Sequence, residues 1–273
     1  MTDPFDQYKE GNRHLWNAWT GLHENSSFYN LDGFRAGGLS LQPVEMQELA
    51  PQVEGKTLLH LMCHFGLDTL SLARLGARVT GVDLSDQAIE LANRLSAELE
   101  IPARFLAADV YKLPEQLSGS FDIIYMSYGV LHWLPDLAAW ARIVAGCLNP
   151  GGIFYIVEDH PFMRVFDSDS ADALQVGNPY FFSETPYPLE MQGSYAAEGQ
   201  PGQAVRGYMW DHSLSDLFTA LIGAGLRIEN FHEFPFALRA KFPLMQQAED
   251  GLWRLPAPLD QSVPLLFSLQ ARK

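Results

Sequence analysis

Thr57-Leu-Leu-His-Leu-Met-Cys-His-Phe-Gly66, followed by Arg78-Val-Thr-Gly-Val-Asp-Leu-Ser85, decides the fold of this chain. Each run opens with a short, nearly continuous apolar stretch, as a strand buried on both faces requires. The first ends in a tight turn leading into a helix, and the second ends in a carboxylate, Asp83. An acid beside a strand-to-helix turn is where a ribose can lie with its hydroxyls on the carboxylate, so a nucleoside-bearing cofactor is expected. Only Gly66 stands where a pyrophosphate-binding turn wants three glycines, because Met62 and His64 occupy the other places. Side chains there would crowd a pyrophosphate approaching the backbone, which favours a cofactor without phosphates.

Outward from this pair the alternation continues. Ala107-Ala-Asp-Val110 ends a third strand, Phe121-Asp-Ile-Ile-Tyr-Met-Ser127 is a fourth, and Leu148-Asn-Pro-Gly-Gly152 turns into a fifth, Ile153-Phe-Tyr-Ile-Val157. Ser85 is a helix cap followed by the apolar stripe Ile89, Leu91, Ala92 and Leu95. Leu137 to Leu148 reads as another helix, stopped by Asn149-Pro-Gly-Gly152. Short connections between alternating strands and helices from Lys56 to His160 argue for a parallel sheet covered on both faces. Ser213 caps a helix over Leu214–Ile222, and Leu226–Phe236 and Val263–Ala271 read as the sixth and seventh strands.

In this order and spacing the segments resemble the class I S-adenosylmethionine-dependent methyltransferases of small-molecule type. The first motif is a variant, Cys63-His-Phe-Gly-Leu-Asp-Thr69, with His60 in the place of the usual acid. The resemblance covers roughly residues 50–160 strongly and the C-terminal part loosely. It implies an α/β fold: a doubly wound, mostly parallel seven-stranded sheet with helices on both faces and the last strand antiparallel. An N-terminal lid (1–50), a cofactor-binding core (51–160), an aromatic cap inserted after strand five (161–210) and the C-terminal part of the core (211–273) complete the expected organisation. The implied cofactor is S-adenosyl-L-methionine, leaving S-adenosyl-L-homocysteine as product.

The resemblance also implies roles for particular residues. Asp83 would accept from both ribose hydroxyls; the alternative, capping the next helix, falls to Ser85. Asp109 would accept from the adenine amino group and Val110 would offer its N–H to the ring; alternatively Asp109 forms the turn before Leu113-Pro114. The helix after Gly66 presents free N–H groups to the cofactor's carboxylate. His60 and His64 would hydrogen-bond the methionine moiety, or serve as structural residues of the turn. Cys63, contributing backbone and bulk, Leu84 and Ser127 complete the expected cofactor contacts.

Methyl transfer is an in-line displacement at an activated sulfonium, so the protein supplies proximity, desolvation and sometimes a base. A base must lie at the carboxyl ends of strands four and five. Ser127-Tyr-Gly-Val-Leu-His-Trp133 and Glu158-Asp-His160 end there, making His132 and His160 the catalytic candidates, with Tyr128 and Trp133 as pocket walls. Glu158, Asp159, His160, Asp211, His212, His232 and Glu233 are metal-ligand types without diagnostic spacing, so no metal is expected.

Composition narrows the partners. Hydrophobic residues make up 47% and charged ones 19%, as in a folded globular chain. A net charge of −15 repels phosphate backbones and anionic bilayers, which excludes nucleic acid and a membrane surface as partners. It suits a neutral or cationic small-molecule acceptor better than a polyanion. Two cysteines, Cys63 and Cys147, are too few for a disulfide framework, and the polar, acidic Met1–Glu10 is no signal peptide, so a cytoplasmic setting is expected. The aromatic content leaves room for a dimer contact, and a monomer or homodimer is expected. Arg13–His23 carries Leu15, Trp16, Trp19 and Leu22 at helical spacing, and Gly33–Gly38 reads as a loop. Two other readings remain open: a nicotinamide-dependent oxidoreductase, which would need the missing glycines, and a non-catalytic S-adenosylmethionine-binding protein.

Overall fold

The computed structural model describes residues 4–170, 173–191, 193–196 and 205–273. The parts of the expected lid and cap at 1–3, 171–172, 192 and 197–204 lie outside the described residues. The chain opens with helices α1 (Asp6–Glu24), α2 (Leu31–Arg35) and α3 (Pro43–Glu48). The core follows as β1 (Thr57–Leu61), α4 (Leu67–Arg74), β2 (Arg78–Asp83), α5 (Asp86–Glu98), β3 (Arg104–Ala107), α6 (Leu113–Gln116), β4 (Phe121–Ser127), α7 (Leu137–Cys147) and β5 (Leu148–Asp159). Then come β6 (Tyr187–Met191), β7 (Val205–Met209), α8 (Leu214–Gly223), β8 (Arg227–Phe234), β9 (Gln246–Gln247), β10 (Trp253–Arg254) and β11 (Leu266–Arg272).

The main sheet has seven strands in the order β3-β2-β1-β4-β5-β11-β8. Its first five strands pair in parallel, and β11 runs antiparallel to both neighbours, β5 and β8. Period-two alternation explains why both faces are buried. Leu59, Leu61, Ile124, Met126, Phe154 and Ile156 point into one core with Trp140 and Val144 of α7. Their neighbours Leu58, Ile123, Tyr125, Ile153, Tyr155 and Val157 point into the opposite one, with Val44 and Leu49. A strand buried on both sides has no polar position, which is why these runs read as continuous apolar stretches.

Three segments differ from the sequence expectation. Asn30, with φ of 44°, accepts from Gly33 N and starts α2, so part of the expected Gly33–Gly38 loop is helical. α1 starts about two turns earlier than Arg13, at Asp6. The sixth and seventh strands pair as expected, but residues 235–265 separate them and carry the small β9–β10 ladder. The insertion after β5 holds the antiparallel β6–β7 hairpin. α1 lies across β7 and α5, and Leu15 and Trp19 pack with Trp133 and Met209. No helix among the described residues is long and apolar enough to cross a membrane.

Candidate functional site

The turn after β1 keeps a glycine-rich backbone path without the glycines. Met62, His64 and Gly66 all adopt positive φ, at 57°, 52° and 79°. For a residue with a side chain that region costs about 1–2 kcal/mol, so the surroundings must enforce it. Gly66 is obligatory for a second reason: a Cβ there would meet the Phe105 ring at 2.6 Å. This path aims the His64 N–H at Asp83 Oδ2, 2.7 Å away, while Ser85 N donates to Asp83 Oδ1 at 2.8 Å.

Asp83 is 8% exposed and has no cationic partner among the described residues, so burial pushes its carboxyl up to about 6. A carboxylate has about four acceptor sites; these two amides fill two, and the Leu84 N–H also favours the ionised form, which leaves room for a further donor. The capping task is done by Ser85, whose Oγ accepts from Ala88 N at 3.0 Å. Leu84, half-buried, follows Asp83 at the strand's end.

Behind the turn, the His60 Nδ1 meets Thr69 Oγ1 at 2.8 Å and its Nε2 lies 3.4 Å from Ser127 Oγ. Burial lowers the His60 imidazole to about 3, so a neutral ring fills the family's acidic position. Carboxyl groups enter from elsewhere. Asp68 accepts from Ser40 and Ser127, and Glu45 accepts from the Tyr125 and Tyr128 hydroxyls. Burial raises Asp68 and lifts Glu45 to about 8. The Cys63 thiol is pushed up by burial, leaving it without thiolate character.

His64 links the turn to the segments above it. Its Nε2 lies 2.7 Å from His23 Nδ1, and His23 Nε2 lies 2.6 Å from Ser194 Oγ. Burial lowers His23 to about 3 and His64 well below its usual value, so both rings are neutral. His64 Nδ1 is buried without a hydrogen-bond partner among the described residues. Tyr29 packs on Phe65 at 4.8 Å between ring centroids and shares a 2.6 Å hydrogen bond with the Tyr195 hydroxyl.

At the other end, Asp109 accepts from Tyr111 N at 3.0 Å and from Lys9 Nζ of α1 at 2.7 Å. It therefore starts the turn before buried Val110 and also closes an ion pair across the groove. Sequence reasoning named Asp109 and missed Lys9, because nothing in the sequence connects residues this far apart.

The second half of the site lies beyond β4 and β5. Glu158, 3% exposed, accepts from the amides of Gly129, Val130, Leu131 and Asp159. His132, on the loop this carboxylate clamps, lines a cavity of about 20 Å³ with Asp159, Arg164, Trp210 and His212. Burial first, then the charge of Arg164, keeps His132 neutral. His160 sits differently. Its Nδ1 accepts from Phe162 N at 3.1 Å, capping the turn after β5, and its Nε2 lies 2.9 Å from Glu233 Oε1 outside hydrogen-bonding geometry. Among the described residues no three His, Cys, Asp or Glu side chains are grouped to hold a metal ion.

Residues 58–152 match the profile of a methyltransferase domain. A ubiquinone biosynthesis O-methyltransferase of Xanthomonas axonopodis pv. citri is 30% identical over 131 residues, 47% of this chain and 54% of that one. The same-named protein of Bordetella pertussis is 31% identical over 107 residues, 39% and 44% of the two chains. The chain thus spans about half the length of the curated relatives it matches. An S-adenosylmethionine-dependent methyltransferase from Mesorhizobium loti superposes with a TM-score of 0.59 at 24% identity, covering 85% of this chain and 96% of that one. The glycopeptide N-methyltransferase MtfA in complex with S-adenosylmethionine gives 0.54 at 15%, covering 84% and 85%. These superpositions establish the class I methyltransferase fold.

Proposed function

We propose, from the match of residues 58–152 to a methyltransferase domain, that the chain transfers a methyl group from S-adenosyl-L-methionine to a small-molecule acceptor. The observation that carries the reading is Asp83: a buried carboxylate held by two backbone amides, with no cationic partner among the described residues and room for a further donor. A ribose diol supplies the missing donors. Asp109 and Val110 would flank the adenine, with Lys9 yielding or sharing Asp109, and Leu84 would lie beside the base. The buried, unpartnered His64 Nδ1 supports a role at the methionine end, together with Gly66 and the neighbourhood of His60, Cys63 and Ser127. The Met62 and His64 side chains in the turn argue against a dinucleotide, and so against the oxidoreductase reading.

His132 is the better-supported proton acceptor, since it lines the cavity and its ring nitrogens make no hydrogen bond among the described residues. His160 is engaged in capping its own turn, which supports a positioning role. The cavity holds about one water, so acceptor entry requires the Arg164–Trp210 side to move. That supports 161–210 as a cap over the acceptor. Two buried free thiols suit a cytoplasmic setting. Calorimetry tests the reading: heat from S-adenosylmethionine and S-adenosylhomocysteine, and none from NAD, is expected. The opposite pattern removes it, and donor binding without turnover on any metabolite pool leaves the non-catalytic alternative.

A further inference from the structure

The chain has 33 acidic and 18 basic residues, yet three cations, Arg164, Arg239 and Lys241, gather beyond the ends of β4 and β5. Two of them are neutralised. Arg164 Nε lies 3.1 Å from Asp211 Oδ1, and Lys241 Nζ donates to Asp159. Arg239 makes no ion pair among the described residues; its guanidinium lies over the Tyr195 ring, 5.1 Å from the centroid. Tyr195 in turn holds Tyr29, which packs on Phe65 and His64 of the first turn. On its other side Arg239 acts electrostatically on Asp159, Lys241 and His132. It is therefore linked to the turn assigned to the donor's methionine end through Tyr195 and Tyr29, and its charge reaches His132 of the cavity.

A half-buried guanidinium that forms no direct ion pair among the described residues, with Asp159 nearby already bonded to Lys241, leaves its own fork free for an anion. Its planar fork matches a carboxylate in two parallel hydrogen bonds, which an ammonium does not. The ring beneath it fixes the plane, so the fork is oriented before any ligand arrives. Nearby, Asp159 is directly paired with Lys241 and Asp211 with Arg164, so Arg239 feels Asp159 only at longer range.

We propose that the acceptor is a small molecule bearing a carboxylate, which Arg239 binds and thereby sets the nucleophilic atom between His132 and the donor. This rests on the methyl-transfer reading and reverses, for the pocket, what the net charge implies for the surface. The step balances without a co-reactant. The acceptor's lone pair forms the new bond to the methyl carbon, the carbon–sulfur bond breaks with its electrons to sulfur, and the acceptor's proton passes to the His132 imidazole and on to water.

The test uses the full chain and matched probes: benzoate, 4-hydroxybenzoate, nicotinate and indole-3-acetate, each beside its primary amide. Calorimetry of S-adenosylhomocysteine alone comes first, and its failure removes the methyl-transfer reading separately. With the nucleoside bound, thermal shift and transfer from labelled donor are expected to favour at least one acid over its amide by about tenfold or more. Arg239→Gln should remove that preference by a similar factor while nucleoside affinity stays within about threefold. Arg239→Lys should restore it only in part, and circular dichroism of both variants should match the parent. The proposal is overturned if amides match their acids or no acid binds. It is equally overturned if Arg239→Gln weakens the nucleoside about tenfold, which would give this guanidinium to the donor's own carboxylate.

Discussion

Asp83 and Glu158 are two buried carboxylates at strand ends, each held by backbone amides after a left-handed turn, yet they differ in what is left over. Glu158 receives four N–H groups, from Gly129, Val130, Leu131 and Asp159, so its acceptor sites are filled. Asp83 receives two, from His64 and Ser85. A saturated carboxylate is scaffold; an undersaturated one is a socket. Counting donors against lone pairs separates the two where burial does not, since they are 3% and 8% exposed.

The largest effect expected from this contrast is on stability. Glu158→Ala leaves four amides without their acceptor and should cost about 3–5 kcal/mol, as for breaking a buried charged network. Urea titration measures it, and a loss under about 1 kcal/mol would erase the distinction between the two acids. Asp83→Ala should act on affinity instead. Donor binding should weaken by about 1.5–3 kcal/mol with stability nearly unchanged. A change below about threefold, or 0.65 kcal/mol, would mean the ribose lies elsewhere.

Acidity sharpens the contrast further. The folded-state value of Asp83, about 6, lies above its ordinary 3.8, so the unliganded fold holds this proton more tightly than the unfolded chain. Its contribution to stability is present below the ordinary value and lost as pH rises through about 6. The nucleoside needs the carboxylate, so affinity should fall as pH drops below about 6, by up to about tenfold per unit. Asp83→Asn should flatten that profile, and a parent profile already flat from pH 5 to 8 would contradict the assignment. The smallest effect concerns Met62. Met62→Gly trades about 1–2 kcal/mol of backbone strain for lost packing and added chain entropy, so denaturation should shift by less than about 1 kcal/mol. A much larger loss would mean that the Met62 side chain, rather than the path of the backbone, holds the turn.

The same division between backbone and side chain sets what the sequence made legible. Both-faces burial forces continuous apolar runs, so the strands, their order and Asp83 were readable from local pattern. Gly66 was readable because only that residue fits the approach of Phe105. The His60 position was visible, but not that its neutral ring would lean on Thr69, with the acids supplied by Glu45 and Asp68. His160 follows the fifth strand at the right place, yet a proline and a capped turn come next and engage its Nδ1. Lys9, Arg239 and Lys241 were silent, since each meets its neighbours through tertiary contacts and belongs to no periodic pattern.

One helix has a bearing on the order of events. α1 is fastened along the groove at Asp109 through Lys9, at Asp86 through Arg13, at Ser85 through Asn17 and at His64 through His23. If the nucleoside lies as proposed, from Asp83 to Asp109, a helix latched along it would have to lift before it comes or goes. Two of its latches are ion pairs: the exposed Arg13–Asp86 pair, which dissolved salt weakens, and the largely buried Lys9–Asp109 pair, which salt screens little and which grips the carboxylate that the adenine would claim. Entry of the donor would then be a displacement of Lys9 rather than the filling of a void. Departure of the spent nucleoside, not the brief chemistry in between, would set the pace of the cycle.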